Sequence, residues 1–169
     1  MKRKIILCRG IQGSDKSTWA KRYCEEHPNT IRLNRDDIRK MFSQKWSPQL
    51  EDMVKATEYS AMISALCSHM DVVIDDVSNL NANTRKIIDV YLLPLNLPEG
   101  IEIVTQDFFI PLQDCIKRDS LREEPIGEEI IKKTYRMYKS IIENGRNEQK
   151  YIASAVSDNK MASSLSVVL

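Results

Sequence analysis

A short stretch near the start of the chain has the residue types that bind phosphate groups. Residues 10–18 read Gly-Ile-Gln-Gly-Ser-Asp-Lys-Ser-Thr, between an apolar run at 5–8 and a segment at 19–24 with helical character. In a P-loop, backbone N–H groups and a helix N-terminus converge on phosphate oxygens, a lysine adds positive charge, and a serine hydroxyl ligates Mg2+. The predicted phosphate-binding residues are Gly10, Gly13, Ser14, Asp15, Lys16, Ser17 and Thr18, with Ser17 also on the metal.

One position departs from the pattern G-x-x-x-x-G-K-[ST]. The residue before Lys16 should be glycine, which lets the backbone approach the β-phosphate, and here it is Asp15. A side chain there either occupies phosphate space or forces the loop open. Its charge adds a repulsion of roughly 4 kcal/mol, taking a separation of about 4 Å and an effective dielectric of about 20. We therefore expect ATP binding to be weakened by about two orders of magnitude or more.

The same carboxylate is also expected to stabilise the fold. At a helix N-terminus, Asp15 is expected to stabilise the loop without nucleotide by about 1 kcal/mol, through capping and the helix dipole. The substitution therefore predicts a fold as stable as one with glycine, and a weaker donor site.

A carboxylate and an arginine suited to a second substrate follow the loop. Asp36 lies just after the second predicted strand, where it can accept a proton from an acceptor hydroxyl as a general base. Arg39 is three residues later on the same helix face and is suited to hold a phosphate of that acceptor. The structural alternative is that Asp36 only caps a helix and Arg39 is solvated.

Further charged residues lie later in the chain. Asp75 ends an apolar strand and suits a Mg2+ site, and Asp76 follows it. Arg118 and Arg122 are four residues apart in a charged stretch, where an arginine-bearing lid would close over donor phosphates. The alternative for this stretch is an ordinary solvated surface.

Strand and helix patterns alternate along the chain and predict how these residues are positioned. Strands are predicted at 4–9, 30–34, 71–76 and 101–109, and helices at 16–27, 35–42, 48–70, 85–93, 112–118 and 128–143. Such alternation predicts an α/β domain with a mainly parallel sheet of about four or five strands flanked by helices. Ligands of these sheets bind beyond the strand C-termini, where Lys16, Asp36, Asp75 and Asp76 are predicted to meet.

Composition limits the class of protein. A chain of 169 residues with 42% hydrophobic and 29% charged residues fits one globular domain. There is no apolar run of about 18 residues, and the apolar start is shorter than a signal-peptide core, so we expect a cytoplasmic protein. The four cysteines are far apart, which predicts free thiols. With a net charge of +1, a nucleic-acid substrate would have to be held locally.

Together the motifs resemble the kinase domain of bacteriophage-type polynucleotide 5′-kinases. The likeness rests on Gly-Ser-x-Lys-Ser-Thr-Trp-Ala at 13–20, Asn-Arg-Asp-Asp-x-Arg at 34–39, Asn-Leu-Asn at 79–81 and Lys-Arg-Asp-Ser-x-Arg at 117–122. The resemblance implies a P-loop kinase fold at 1–143 with a lid around 118–127. It leaves a tail at 144–169, predicted to be partly disordered or docked through its apolar end. Because the D-x-D-G-T motif of the phosphatase half of some family members does not occur in this sequence, we expect a chain with the kinase part alone.

The resemblance also implies an activity: ATP-dependent phosphorylation of the 5′-hydroxyl end of DNA or RNA, with Mg2+, in nucleic-acid repair in a phage-infected bacterial cytoplasm. Lys16 and Ser17 would serve the ATP phosphates and Mg2+. Asp36 would be the general base, and Arg39 would contact the acceptor phosphate.

For the lid and the third strand the resemblance implies further roles. Arg122, with Arg118, would stabilise the transferring phosphate. The family's D-T-N-L aspartate falls on a segment that is one residue longer here, and it is assigned to Asp76 for the substrate, with Asp75 on the metal.

Two rival functions stay open. A P-loop alone is also compatible with a kinase of a nucleoside or another small molecule. From another class, a catalytically inactive module would bind nucleic-acid ends through Arg39 while Asp15 blocks ATP. A monomer and a homo-oligomer, and DNA and RNA substrates, are equally compatible with the sequence.

Overall fold

The computed structural model describes residues 2–42, 47–95 and 100–146. Within them, four strands form one sheet in the order β2-β3-β1-β4, and each neighbouring pair is parallel. The strands are β1 (Arg3–Arg9), β2 (Thr30–Leu33), β3 (Asp71–Asp75) and β4 (Ile101–Asp107). The predicted α/β class with a parallel sheet is confirmed.

Helices and one 3-10 turn lie between the strands and after β4. They are α1 (Lys16–Glu26), α2 (Arg35–Lys40), α3 (Pro48–Cys67), the 3-10 turn Val77–Leu80, α4 (Thr84–Leu92), α5 (Leu112–Asp119) and α6 (Glu128–Met137). Asn34 caps α2 by accepting a hydrogen bond from the Asp37 N–H, and Ser47 caps α3 in the same way. The alternative in which Asp36 caps α2 is therefore wrong.

Two other expectations about local structure are corrected. The helix predicted at 128–143 is interrupted at Tyr138, whose backbone (φ −114°, ψ 19°) is not helical, and a further helical stretch follows at 139–146. The polar sequence Asn-Leu-Asn-Ala-Asn-Thr at 79–84 predicts a turn that caps α4, but no side chain caps that helix. Instead Asp76 caps the 3-10 turn by accepting the Ser78 N–H.

The sheet is covered on both faces, as its apolar strands require. Ile5 and Leu7 of β1 face one side and belong to a core cluster with residues of α3 and α4. Ile6 and Cys8 face the other side and pack with Ala20 of α1. Because β1 lies inside the sheet between β3 and β4, the loop that follows it is held on a fully packed strand.

The remaining predictions about the chain can be compared briefly. All four cysteines are free thiols, as expected, and burial raises the pKa of Cys8 to about 12. None of the helices in the described ranges is long and apolar enough to cross a membrane. Of the tail predicted at 144–169, residues 144–146 continue the last helical stretch, and 147–169 lie outside the described residues.

Candidate functional site

A cavity of about 580 Å³ lies at the carboxyl ends of the strands and brings the predicted site residues together. Its lining includes Gly13, Ser14, Asp15, Lys16, Ser17, Thr18, Asp36, Arg39, Asp75, Asp76, Arg118 and Arg122. Gln12, Asn34, Val77 and Ile126 also line it and were not predicted. Gly10 does not line the cavity. A Cβ at this position would lie 2.8 Å from the Phe108 carbonyl oxygen, so Gly10 allows the loop to pack against the end of β4.

Two residues of the phosphate-binding loop, Gly13 and Asp15, have a positive φ. Gly13 has a φ of 76°, and a Cβ there would lie 2.3 Å from the Cys115 carbonyl oxygen, so the position admits only glycine. Asp15 adopts the left-handed conformation too, with φ 69° and ψ 12°. Aspartate is one of the few residues other than glycine that tolerate this region. Of the two alternatives expected for Asp15, the structure favours the first: the loop keeps its turn, and the side chain lines the cavity.

The Asp15 carboxylate lies in the cavity and not on the helix. It makes no hydrogen bond that caps α1, so the expected side-chain capping is absent. Its partner is the guanidinium of Arg118 at the end of α5, and the two side chains are 55% and 44% exposed. Arg118, predicted to bind donor phosphates, is thus engaged by a carboxylate of the phosphate-binding loop itself.

Lys16 is buried at the bottom of the loop, with 6% of its surface exposed. Its Nζ donates to the Ile11 carbonyl oxygen at 2.8 Å and lies 3.5 Å from Ser14 Oγ. Burial lowers the pKa of the amine, and the negative charges of Asp75 and Asp76 oppose that shift. A buried ammonium in the loop that precedes α1 fits the phosphates of a nucleotide.

Asp75, at the end of β3, is held by a residue that the sequence analysis missed. It is 1% exposed, and Arg32 of β2 donates to its Oδ2 through Nη2 at 2.8 Å and Nε at 3.1 Å. Its Oδ1 is buried and has no hydrogen-bond partner among the described residues. A buried carboxylate oxygen without a partner is costly, and a metal-bound water would satisfy it.

The side chains around Asp75 decide whether the predicted Mg2+ site is plausible. In the described ranges, no group of three or more His, Cys, Asp or Glu side chains is arranged to hold a metal. Mg2+ commonly keeps several waters and binds through one or two carboxylates together with substrate phosphates. Ser17 and the unpaired oxygen of Asp75 fit a Mg2+ site of this kind, in which water and substrate phosphates supply the other ligands. Mg2+ is therefore compatible with the residues present.

On the other side of the cavity, Asp36 and Arg39 form an ion pair on α2. Asp36 is 70% exposed, and its Oδ1 accepts from Arg39 Nη1 at 2.5 Å. Arg39 also forms a bidentate pair with Glu51 of α3, at 2.6 Å and 2.8 Å. The alternative in which Arg39 is solvated is therefore wrong. The hydrogen bonds from Arg39 lower the pKa of Glu51, so this partner stays charged at neutral pH.

A second pair ties α2 to α3 away from solvent. Arg35 donates from Nε to Glu58 Oε2 at 2.8 Å, and the two side chains are 12% and 1% exposed. Glu58 lies seven residues after Glu51, and Arg35 four residues before Arg39, so both pairs lie along one seam between the helices. Helical spacing of opposite charges on two consecutive helices was the signal that could have predicted them.

The lid predicted around 118–127 joins α5 to α6. Arg122 and Ile126 line the cavity from this segment. Arg122 is 43% exposed, and its Nε lies 3.6 Å from the buried carboxylate of Asp119. The structure therefore brings both predicted lid arginines to the mouth of the cavity, each beside a carboxylate.

Comparisons with known proteins identify a family and similar proteins. The family model described as AAA domain (AAA_33) matches residues 5–141. An L-seryl-tRNA(Sec) kinase of Methanococcus maripaludis is 25% identical over 140 residues, which are 79% of this chain and 52% of that protein. The chain thus spans about half the length of this curated relative.

Solved structures agree at the level of the fold. A chain of the Pnkp1/Rnl/Hen1 RNA repair complex superposes with a TM-score of 0.70 at 24% identity, over 85% of this chain and 46% of that one. A second structure of the Pnkp1/Rnl/Hen1 complex gives a TM-score of 0.58 at 24% identity, over 75% and 45% of the two chains. The likeness agrees with the predicted fold, a parallel sheet flanked by helices.

Proposed function

This chain belongs to the AAA-domain family, and from that premise we propose that it is a kinase that transfers the γ-phosphate of ATP to the 5′-hydroxyl end of a nucleic acid. One observation carries the proposal. A buried lysine of a phosphate-binding loop and an exposed carboxylate–arginine pair line the same cavity, the lysine at the start of α1 and the pair on α2. A donor phosphate and an acceptor hydroxyl need this two-sided arrangement to meet in line.

On the donor side, the chain's own groups are suited to bind and orient the ATP phosphates. Gly13 lets the loop turn closely against α5, and the buried Lys16 ammonium would balance the charge of the phosphates. Ser17 and Asp75 would hold Mg2+, which when bound neutralises charge on the phosphates. Arg122 reaches the cavity from the lid and would stabilise the charge of the transferring phosphoryl group.

On the acceptor side, Asp36 would take the proton of the 5′-hydroxyl. The acceptor oxygen then forms its bond to the γ-phosphorus while the bond from that phosphorus to the β–γ bridging oxygen breaks, leaving ADP. Asp36 is 70% exposed, so an acceptor can reach it. Arg39 has N–H groups left after binding Asp36 and Glu51, and these would hold the nearest acceptor phosphate, while Asp76 lies on the same wall.

The relatives' names favour an acceptor carried by RNA or DNA. One relative is named as a kinase of a seryl-tRNA, and the other matches come from a complex named for RNA repair. Both names refer to RNA, which supports an acceptor carried by a nucleic acid. The chain's net charge of +1 suits a terminus held at one site better than a long duplex.

A specific contact favours a second candidate, a module that binds 5′ ends and transfers no phosphate. Asp15 lines the donor part of the cavity and engages Arg118, while the acceptor pair of Asp36 and Arg39 is intact. Such a module would bind oligonucleotides and show no stabilisation by ATP.

The test is transfer of labelled γ-phosphate, run on this chain and on Asp15→Gly with three acceptors: a 5′-hydroxyl oligonucleotide, its 5′-phosphorylated form and a free nucleoside. We expect label only on the 5′-hydroxyl oligonucleotide, with the glycine variant faster. Label on the nucleoside alone would favour the small-molecule kinase. No label in either protein, together with oligonucleotide binding, would favour the end-binding module.

A further inference from the structure

The lid segment between α5 and α6 is closed at its base by one buried carboxylate. Asp119, the last residue of α5, is 2% exposed. Its Oδ2 accepts the backbone N–H of Gly127 at 2.9 Å, eight residues further along the chain. Its backbone carbonyl also accepts the N–H of Arg122 at 3.0 Å. The segment therefore has the geometry of a compact surface loop whose two ends are joined.

The second oxygen of the same carboxylate faces the lid arginine. Asp119 Oδ1 is buried, lies 3.6 Å from Arg122 Nε and has no hydrogen bond among the described residues. The contact is electrostatic at this distance, beyond the range of a hydrogen bond. One buried carboxylate thus faces both the end of the lid and the arginine that the lid presents to the cavity.

The position of Asp119 makes these contacts necessary. It ends a helix, where the dipole disfavours negative charge. A carboxylate with almost no exposure also loses its hydration, which has to be replaced by hydrogen bonds or opposite charge. Gly127 and Arg122 are the groups that supply this replacement, and both belong to the lid segment. Opening the lid would break the hydrogen bond from the Gly127 N–H and separate the carboxylate from Arg122.

We propose that Asp119 is a positioning residue, which closes the lid at its base and holds Arg122 toward the phosphate end of the cavity. The closure follows from the contacts of Asp119 alone. The part concerning Arg122 rests on the proposed function, because there Arg122 acts on the transferring phosphate.

Limited trypsin digestion of the intact chain tests the closure, because cleavage after Arg122 reports how often the lid opens. Asp119→Ala removes the acceptor for the Gly127 N–H, whereas Asp119→Asn keeps an oxygen that can accept it. A hydrogen bond to a charged group shifts an equilibrium by roughly tenfold or more. We therefore expect cleavage after Arg122 to be at least about fivefold faster in Asp119→Ala, and within about threefold of wild type in Asp119→Asn.

The control is Asp114→Ala, an exposed carboxylate in the first turn of the same helix, which should cleave at the wild-type rate. Cleavage after Lys86 of α4 serves as the internal reference for global unfolding. An acceleration in Asp119→Ala below about fivefold, or an equal acceleration at both cleavage sites, would overturn the proposed closure.

Phosphate transfer tests the positioning of Arg122. Asp119→Asn keeps the closure and removes the charge, so we expect kcat to fall about threefold to tenfold while the KM for the acceptor stays within about twofold. An unchanged kcat would show that Arg122 is positioned without Asp119 and would overturn this part. If the wild-type chain and Asp15→Gly transfer no phosphate, the proposed function fails, and the digestion still decides the closure.

Discussion

The two sides of the cavity hold their arginines in different ways. On the acceptor side, Arg39 and Arg35 are paired with Glu51 and Glu58 of a neighbouring helix, and the Arg35–Glu58 pair is nearly inaccessible to solvent. On the donor side, Arg118 is paired with Asp15, and both side chains are about half exposed. Exposed pairs contribute little to stability, whereas breaking a buried pair leaves an uncompensated charge.

This difference indicates where each side gets its rigidity. The acceptor side is organised by ion pairs between α2 and α3, so its geometry depends on side chains. The donor side is organised by its backbone, in particular the left-handed turn through Gly13 and Asp15, which packs against α5. Substitutions in the ion pairs between α2 and α3 should therefore affect both stability and ligand binding. Substitutions of Asp15 or Arg118, which form the exposed pair, should affect ligand binding alone.

The largest effect is expected for Asp36→Asn, which removes the proposed base and leaves the helix seam intact. Phosphate transfer by the Asp15→Gly protein should fall about a thousandfold, the usual contribution of a general base, with oligonucleotide affinity within about threefold. Steady-state transfer and fluorescence anisotropy measure the two quantities. Asp52→Asn, an exposed carboxylate on α3, is the matched control. A loss of less than about tenfold would mean that the acceptor side does not supply the base.

Breaking the buried Arg35–Glu58 pair between α2 and α3 should have the next largest effect, on the free energy of unfolding. Glu58→Ala leaves the Arg35 guanidinium buried without its carboxylate, and we expect the free energy of unfolding to fall by about 3 kcal/mol or more. Urea denaturation followed by circular dichroism measures it. Asp52→Ala, on the exposed face of the same helix, should change it by less than about 0.5 kcal/mol. Equal losses in the two variants would remove the contrast between seam and surface.

A smaller effect is expected when Arg39 is replaced by lysine, which has the same charge but not the planar guanidinium. Lysine at this position cannot form the bidentate pair with Glu51, so Arg39→Lys should raise the KM for the oligonucleotide about tenfold and leave kcat within about threefold. Lys40→Arg, at the exposed next position, is the control and should leave both constants unchanged. If kcat falls instead while KM stays constant, Arg39 acts in the chemical step and not in acceptor binding.

The smallest effect concerns the surface pair of the donor side. Arg118→Ala removes the partner of Asp15, and the free energy of unfolding should change by less than about 1 kcal/mol, because the pair is exposed. The urea titration used for Glu58→Ala gives the comparison directly. A loss above about 2 kcal/mol would mean that this exposed pair stabilises the fold as the buried Arg35–Glu58 pair does.

Much of the fold was predictable, because its signals are local. Apolar runs bounded by glycine or carboxylates gave the strands, and the phosphate-binding loop with Asp36 and Asp75 predicted a site at their ends. The break at Tyr138 and the 3-10 turn at Val77–Leu80 were missed, because short turns depend on how neighbouring segments pack.

The partners of the site residues were not predictable in the same way. Arg32 reaches Asp75 across 43 positions of the chain, and Asp15 meets Arg118 across 103. Such contacts depend on the strand order and on where α5 begins. The left-handed conformation of Asp15 was not predictable from the missing glycine, because aspartate is one of the few other residues that tolerate this region.

The most direct test is the affinity of ATP with Mg2+, measured by calorimetry for this chain, Asp15→Gly and Asp15→Asn. Asparagine matches aspartate in size and also tolerates the left-handed turn, so it removes only the charge. We expect both variants to bind at least about tenfold more tightly than the wild type, because the carboxylate lies among the phosphate-binding residues. Wild-type affinity in both variants, or no binding of ATP by any of the three proteins, would contradict the account of a phosphate-binding donor site held back by the charge of Asp15.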